Sequence, residues 1–257
     1  MLSIVYNINM NDRQMKIFVA VVEEYTKTGL PVGSSVLVEK YAFDVSPATL
    51  RNDMGKLEDE GLLYQPHTSA GRIPTDQGYK YFVEEIMPER EMSKKEQQMM
   101  QKELLQLRAQ NTRLTRTTAK LLSTLSGYVA VSGVPQKDDF SKCGLESLLQ
   151  NVDMDNLDEV CALAQGLDYI DERCDELMKE LSDGETKIFI GKENPISNTE
   201  NYSMVVSQYE QNGERGIVAL IGPKNMEYKK NKSLIDQVKR MLSGIGIVVI
   251  ILSNINY

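Results

Sequence analysis

The sequence predicts an α+β protein in which a small N-terminal domain precedes a larger domain of mixed helices and strands. Its 257 residues exceed what one small core needs, so more than one domain is expected. Helical periodicity dominates residues 1–88 and is interrupted by a short hairpin-like segment before the last helix. Beyond residue 126, strand-like and helix-like segments mix without regular alternation, which is typical of an α+β domain.

Two helices are predicted at the start of the N-terminal domain. Apolar residues recur at one-sided helical spacing over Met15–Tyr25. Asn11 is a suitable cap for this helix and Gly29 a suitable end. After a Pro-Val-Gly turn, Ser34 or Ser35 is expected to cap a short second helix.

The segment SPATLRNDMGKLEDEGLL predicts a third helix with two different faces. Ser46 is its expected cap and Pro47 its first residue, where a missing N–H costs nothing. One face is apolar and is expected in the core: Leu50, Met54 and Leu57. The other residues of the first turns are expected to project elsewhere, mostly outward: Ala48, Thr49, Arg51, Asn52 and Lys56.

The outward side chains have the chemistry needed to read base edges. Arginine can bridge O6 and N7 of guanine, asparagine can bridge N6 and N7 of adenine, and small methyl groups fit the thymine methyl. The amide groups at a helix N-terminus also favour phosphate. A merely solvated outer face explains the helix alone equally well.

The continuation after the third helix favours DNA binding. Leu62–Gln65 is a predicted strand, 66–71 a tight loop and Arg72–Ile73 a returning strand. Such a hairpin is a candidate wing, with a small polar tip suited to a phosphate backbone or a minor groove. His67, the single histidine, is expected to act in this wing rather than in catalysis. Thr75 then caps a further helix that closes at Pro88.

A heptad pattern follows Pro88 and predicts a long helix with an apolar stripe that packs against a partner helix. Its seam positions are Met100, Leu104, Leu107, Asn111, Leu114, Leu121 and Leu125. A polar residue at a seam position fixes register at some cost in stability. A single helix that lies on its own domain explains the stripe as well as a two-chain seam.

The remaining chain predicts the elements of the second domain. Strands are expected at Tyr128–Val134, Lys187–Gly191, Ser203–Tyr209 and Gly216–Ile221, and helices at Gly144–Leu149, Leu157–Leu181 and Lys232–Leu242. The apolar run Ile245–Leu252 is expected to be a buried terminal strand and is far too short to span a membrane. No signal peptide opens the chain, so a cytoplasmic location is expected.

Composition and motifs argue against several functions. The net charge of −8 is unfavourable for binding a polyanion, so DNA binding has to use a local patch. Three cysteines and one histidine form no recognisable metal site, and packed thiols are expected; no cofactor is expected. Hydrolase, phosphate-loop and zinc-protease motifs are absent from the sequence, so an enzyme is not expected.

The string GLPVGSSVLVEKYAFDVSPATLRNDMGKLEDEGLLYQPHTSAGRIPTDQGYKYFV resembles the N-terminal domain of the HrcA family of heat-inducible transcription repressors. KIFIGKEN, GERGIVALIGPKNMEY and LIDQVKRML are similar to the C-terminal part of that family, which is GAF-like. The departure is the segment PQKDDFSKC, where family members usually carry many more residues, including an inserted dimerisation region. The chain is therefore expected to be a shortened member.

The resemblance implies repression of heat-shock chaperone operons by a dimer that binds an inverted-repeat operator of the CIRCE type. The expected domains are a winged helix-turn-helix over residues 1–88, a linking and dimerisation helix over 89–126, and a reduced GAF-like α+β domain over 127–257. The expected DNA-contacting residues are Ser46, Pro47, Thr49, Arg51, Asn52, Lys56, His67, Thr68, Ser69 and Arg72. A GroE-type chaperonin is an expected partner. The alternative function is an interaction module, responsive to a ligand or a chaperonin, with weakened DNA binding.

Overall fold

The structure is a computed structural model of the chain. It describes residues 8, 10–110, 113–146, 157–168, 170, 173–181, 184–195, 200–211 and 213–243. The chain divides into two compact units, Met1–Pro88 and Glu89–Tyr257. Residues 89–126, expected as a separate linking helix, lie in the second unit.

Over its described residues, the first unit contains four helices and a two-stranded antiparallel sheet. In chain order its elements are α1 (Asp12–Thr28), α2 (Ser34–Tyr41), α3 (Pro47–Asp59), β1 (Leu63–Tyr64), β2 (Ile73–Pro74) and α4 (Asp76–Tyr81), which runs on into a π-helical turn (Phe82–Ile86). Asn11 and Gln14 form a reciprocal capping box that starts α1. Gly29 ends it in the left-handed conformation. The predicted bounds of α1 are thereby confirmed.

The core of the first unit lies between its helices. The predicted core face of α3 is confirmed, because Leu50, Met54 and Leu57 are buried. They are joined by buried residues from the other elements, namely Ile17, Phe18, Val21, Leu37, Leu62 and Tyr79. Burial of this apolar face holds α3 in place and leaves its opposite face outside the core.

Two glycines let the small sheet approach its neighbours closely. Val32, in the connection from α1 to α2, forms a β-bridge with Arg72, and each residue donates its N–H to the carbonyl of the other at 2.9 Å. A Cβ at Gly71 would lie 2.3 Å from the carbonyl carbon of Val32. A Cβ at Gly78 would lie 2.1 Å from the carbonyl oxygen of Leu62. Any larger residue at either position therefore displaces backbone.

In the second unit, the described residues form a five-stranded antiparallel sheet. Its elements are α5 (Lys94–Gln110), α6 (Leu114–Ser126), β3 (Val129–Val134), a 3-10 turn (Pro135–Lys137), β4 (Asp139–Cys143), α7 (Leu157–Asp168), α8 (Cys174–Glu180), β5 (Thr186–Ile190), a 3-10 turn (Gly191–Glu193), β6 (Tyr202–Gln211), β7 (Glu214–Pro223) and α9 (Tyr228–Leu242). The strand order is β4-β3-β7-β6-β5. This mixture confirms the predicted α+β class.

The sheet is covered on both faces. A buried apolar cluster joins one face to α7 and α8 through Leu167, Cys174 and Leu177. On β6, Met204 belongs to this cluster, whereas its neighbour Ser203 forms a hydrogen bond of 2.8 Å with the hydroxyl of Tyr228 on α9. Because adjacent strand residues point to opposite faces, α9 covers the second face.

The sequence prediction missed β4. Its residues lie in the PQKDDFSKC segment, which was interpreted only as a short connection. In the structure this segment turns at Pro135–Lys137 and returns as β4, which pairs with β3 from Val134↔Asp139 to Ala130↔Cys143. No apolar alternation marks β4, because all five of its side chains are half-buried at the edge of the sheet.

The prediction of one long heptad helix is wrong. The helix ends at Gln110, and α6 starts after Arg113, whose backbone is extended. The seam residues Met100, Leu107 and Leu121 are buried within their own chain. Leu104, Leu114 and Leu125 are half-buried, and Asn111 lies outside the described residues. The physical reason is that α6 packs on β3 and β4 of its own unit and α5 packs on α6, which was the alternative that the stripe left open.

The predicted terminal strand Ile245–Leu252 lies outside the described residues, as does the second half, 147–149, of the predicted helix Gly144–Leu149. Among the residues that the structure describes, no helix is long and apolar enough to cross a membrane.

Candidate nucleic-acid interface

The N-terminus of α3 is fixed by its own capping residues. The Oγ atom of Ser46 accepts a hydrogen bond of 3.2 Å from the backbone N–H of Thr49. It also lies 3.0 Å from the Thr49 hydroxyl. Pro47 is the first helical residue, as predicted. Two residues expected to contact DNA therefore also form the cap that sets the direction of α3.

The outward face of α3 presents two cationic side chains and one amide. Arg51, Asn52 and Lys56 are exposed, as are Pro47 and Ala48 at the start of the helix. These residues share one side of α3 because they recur at three- and four-residue spacing. The structure thus brings most of the predicted recognition residues together on one surface, while Thr49 is half-buried beside it.

Arg51 is held by a contact that the sequence did not predict. Its Nε atom donates a hydrogen bond of 3.2 Å to the hydroxyl of Ser34. Ser34 is the first residue of α2 and is buried. Within the described residues, Arg51 forms no salt bridge. Its guanidinium is therefore anchored at one atom and open to solvent elsewhere.

Two carboxylates of α3 are paired inside the unit. Asp53 is buried and accepts a hydrogen bond of 2.7 Å from Nε of Arg13 on α1. The same contact raises the pKa of the Arg13 guanidinium, first through the hydrogen bond and then through the charge of Asp53. Glu58 lies 2.9 Å from Nε of Arg72. These two acids are therefore neutralised by local partners rather than presented beside Arg51.

The loop between β1 and β2 is organised by Gln65. Its side-chain amide donates to the carbonyls of Thr68 at 3.1 Å and Ala70 at 2.7 Å. Its backbone N–H donates to Oε1 of Glu58 at 3.1 Å, which ties the loop to the end of α3. His67, Thr68 and Ser69 are exposed at the tip. The candidate wing is thus a closed loop with a polar tip.

Arg72 has an intramolecular partner. Its side chain is 17% exposed and its Nε atom pairs with Glu58. Its backbone also carries the bridge to Val32. Its predicted contact with DNA stays a prediction, and any such contact has to compete with the Glu58 ion pair.

A surface cavity of about 690 Å³ lies beside the candidate interface, between α1 and the connection from α2 to α3. Its apolar lining comes mainly from Met15, Val19, Tyr41, Phe43 and Val45. Burial raises the pKa of the Tyr41 phenol to about 12, with the nearby charge of Glu24 as the next cause. Sequence periodicity gave no signal for this cavity.

Buried Glu24 is also paired in this region. Its carboxylate accepts hydrogen bonds from Lys40 and from the Tyr41 hydroxyl. The hydrogen bond from Lys40 is the main cause that lowers the pKa of Glu24. The pair links α1 to the end of α2.

Sequence reasoning missed Ser34, Arg13, Glu58 and Gln65 as supports of this surface. Arg13 and Asp53 are 40 residues apart, and Arg51 and Ser34 are 17 apart, so no local periodicity reports either contact. Over the described residues, no group of three or more His, Cys, Asp or Glu side chains is arranged to hold a metal ion.

Three comparisons relate the chain to known proteins. The family model for the HrcA protein C-terminal domain matches residues 136–231. The heat-inducible transcription repressor HrcA of Moorella thermoacetica is 41% identical over 128 residues, which are 50% of this chain and 37% of that protein. The protein of the same name from Acaryochloris marina is 44% identical over 131 residues, 51% of this chain and 36% of that protein. The matched part of the chain thus spans little more than a third of the length of these relatives.

A crystal structure of a hypothetical protein, determined at 2.2 Å resolution, shares the fold. It has a TM-score of 0.68 and 18% identity, and the match covers 92% of this chain and 98% of that one. Fold and site together define a two-unit α+β protein with an exposed, partly basic helix in its first unit. The resemblance to the HrcA family is confirmed by the family model and by these relatives.

Proposed function

We propose that the first unit is a winged helix-turn-helix domain that binds double-stranded DNA in a sequence-specific way, and that the chain represses transcription. The observation that carries the proposal is the outward face of α3, where Arg51, Asn52 and Lys56 are exposed while Asp53 and Glu58 are paired with arginines. The names of the relatives, heat-inducible transcription repressors, support the repressor part.

In this proposal, α3 enters the major groove with its N-terminal turns. Arg51 and Asn52 contact base edges, where arginine prefers guanine and asparagine prefers adenine. The sugar-phosphate backbone of the DNA is contacted by two further groups of residues. They are Ser46, Pro47, Thr49 and Lys56 of the helix and its cap, and His67, Thr68 and Ser69 at the wing tip. Contacts to phosphate release counterions, so affinity falls as salt rises.

We propose further that two copies bind an inverted repeat of the CIRCE type. One small domain reads few base pairs, and two half-sites on one duplex multiply the discrimination. Because Met100, Leu107 and Leu121 are buried within their own chain, this proposal does not assign the dimer contact to the full predicted seam. A chaperonin of the GroE type stays a predicted partner, and a cytoplasmic location follows from the proposed work on DNA.

The test is binding of the full chain to a labelled inverted-repeat duplex and to a scrambled duplex across a salt series. We expect tight binding of two chains per operator, with weaker binding to the scrambled duplex. Arg51→Ala is expected to weaken operator binding by about 1–3 kcal/mol and to relax preference at one base pair of each half-site.

The matched control is Lys27→Ala, since Lys27 is an exposed cation at the far end of α1. It is expected to leave operator affinity within twofold of the unmodified chain. If Arg51→Ala binds the operator and the scrambled duplex each with the same affinity as the unmodified chain does, Arg51 on α3 does not read the operator. Equal weak binding of the unmodified chain to both duplexes would reject sequence-specific binding altogether.

A further inference from the structure

We propose that Ser34 is a positioning residue that holds the guanidinium of Arg51 so that its two terminal nitrogens face one guanine. The inference rests on the proposed function of α3. It adds a residue outside the recognition helix that determines how one base pair is read.

The geometry singles out Ser34 among the neighbours of Arg51. Its hydroxyl accepts the hydrogen bond from Nε of Arg51 at 3.2 Å, and the residue is only 7% exposed. That hydroxyl is not used to cap α2, because Gly33 occupies the cap position and the helix has no side-chain cap. The contact also joins the start of α2 to α3, two elements that pack together in the first unit.

The chemistry of the guanidinium makes the choice of atom decisive. Arginine can approach guanine through Nε and one terminal nitrogen, or end-on through both terminal nitrogens, since all five N–H groups are donors. With Nε donating to Ser34, only the end-on edge remains for two parallel hydrogen bonds to O6 and N7. Ser34 therefore selects one of the two ways in which Arg51 can reach a base.

Anchoring also reduces the entropy that Arg51 loses on binding. A long, freely rotating side chain has to be immobilised when it contacts a base, and this ordering costs a factor of about 2 to 12 in affinity. A guanidinium that is already held at Nε avoids part of that loss. The expected contribution of Ser34 is therefore a factor in this range, and it is specific to the base pair that Arg51 contacts.

The experiment is a double-mutant cycle between Ser34→Ala and Arg51→Lys in the full chain. Lysine has no Nε–H group equivalent to that of arginine, so Arg51→Lys removes the contact from the other side. Affinities are measured for the operator and for a panel of duplexes in which each base pair of the half-site is replaced in turn. The control is Ser35→Ala, since Ser35 is the exposed next residue of the same helix.

We expect Ser34→Ala to weaken operator binding by about 2- to 12-fold. The same substitution should have no effect on duplexes that lack the guanine read by Arg51, and none in the Arg51→Lys background. Ser35→Ala should bind as the unmodified chain does. Far-UV circular dichroism and thermal melting of each variant report whether the first unit stays folded.

Three results would overturn the proposal. They are an unchanged affinity of Ser34→Ala, an equal loss on every duplex of the panel, and a full additional loss in the Arg51→Lys background. The second and third would make Ser34 a structural link between α2 and α3 only. If Ser34→Ala does not fold, the test uses Arg51→Lys on the same panel of duplexes. The proposal is overturned if Arg51→Lys prefers guanine as strongly as the unmodified chain does. Failure of the unmodified chain to distinguish operator from scrambled DNA is a separate result, and it rejects the proposed function and the role of Ser34 together.

Discussion

Replacing Gly71 by alanine is expected to displace the candidate wing from Val32. The added Cβ would lie 2.3 Å from the carbonyl carbon and 2.4 Å from the carbonyl oxygen of Val32, and 2.7 Å from the backbone nitrogen of Gly33. All three atoms belong to the backbone, so no side-chain rotation can relieve the contact. The bridge between Val32 and Arg72 has to open, which breaks two hydrogen bonds of 2.9 Å.

The size of the effect follows from these two terms. Each backbone hydrogen bond contributes about 1 kcal/mol net. Steric overpacking typically costs about 1–3 kcal/mol. Because opening the bridge relieves part of the clash, we expect Gly71→Ala to lower the free energy of unfolding by roughly 2–4 kcal/mol.

A matched glycine is available as a control. Gly55 lies in the middle of α3, and a Cβ there would meet nothing within 4 Å. Gly55→Ala is expected to stabilise the protein by about 0.5–1 kcal/mol, because alanine is the better helix former. The two variants carry the same substitution, so the opposite signs report the surroundings of each glycine.

The assay is urea unfolding of the full chain, combined with amide hydrogen exchange of peptides that contain Val32 and Arg72. Faster exchange of both amides is expected in Gly71→Ala and not in Gly55→Ala. If the Gly71→Ala variant unfolded at the same urea concentration as the unmodified chain and kept both amides protected, the close approach of the wing to Val32 would be refuted.

Three further predictions concern single contacts in the first unit. The hydroxyl of Thr75 accepts a hydrogen bond from the backbone N–H of Gly78 and donates one to the carbonyl of Gly61. Thr75→Val removes both hydrogen bonds and should lower the free energy of unfolding, measured in urea, by about 1–2 kcal/mol. Glu24 has a lowered pKa because it accepts from Lys40. The stability from this pair is present above the ordinary carboxyl pKa and lost as pH falls through the lowered one, so Glu24→Gln should flatten the acid limb of a melting-temperature profile, and an unchanged limb would contradict the pairing. Arg13→Met leaves buried Asp53 without its cation, so both stability and operator affinity should fall; unchanged melting would show that the ion pair does not support α3.

The fold of the first unit was predictable because its signals are local. The caps Asn11, Ser46 and Thr75 lie where the sequence placed them, and each accepts a hydrogen bond from the residue three positions on. The core face of α3 follows from helical spacing alone. These features depend on residues within two turns of each other, and periodicity reports such relations directly.

The second unit was predicted less completely because its signals are shared by more than one structure. The spacing of Met100, Leu107 and Leu121 is the same whether a helix packs on a second chain or on its own sheet. In the structure, α6 lies on β3 and β4, so the stripe serves the core of the unit. Edge strand β4 was missed because each of its five side chains is only partly buried, and its sequence DFSKC does not alternate between apolar and polar residues.

The supports of the candidate interface could not be predicted because they join distant residues. Nothing in the sequence near Arg51 points to Ser34, and nothing near Asp53 points to Arg13. Tertiary packing creates these contacts, and the periodicity of a single sequence does not predict which helices pack against each other. Only the identity of the outward residues on α3 was accessible, because it depends on the helix alone.

The pairing of acids explains how a chain with a net charge of −8 could present a surface for DNA. Net charge counts every ionisable group equally, whereas a phosphate close to α3 responds mainly to charges within about one Debye length. On α3, Asp53 is buried against Arg13 and Glu58 is paired with Arg72, so these two acids are locally compensated, whereas Asp59 at the end of the helix is exposed. Their removal is therefore not expected to improve binding, since it would also free or misplace the arginines that fix α3 and the wing. A basic surface built in this way depends on the internal ion pairs as much as on its exposed cations.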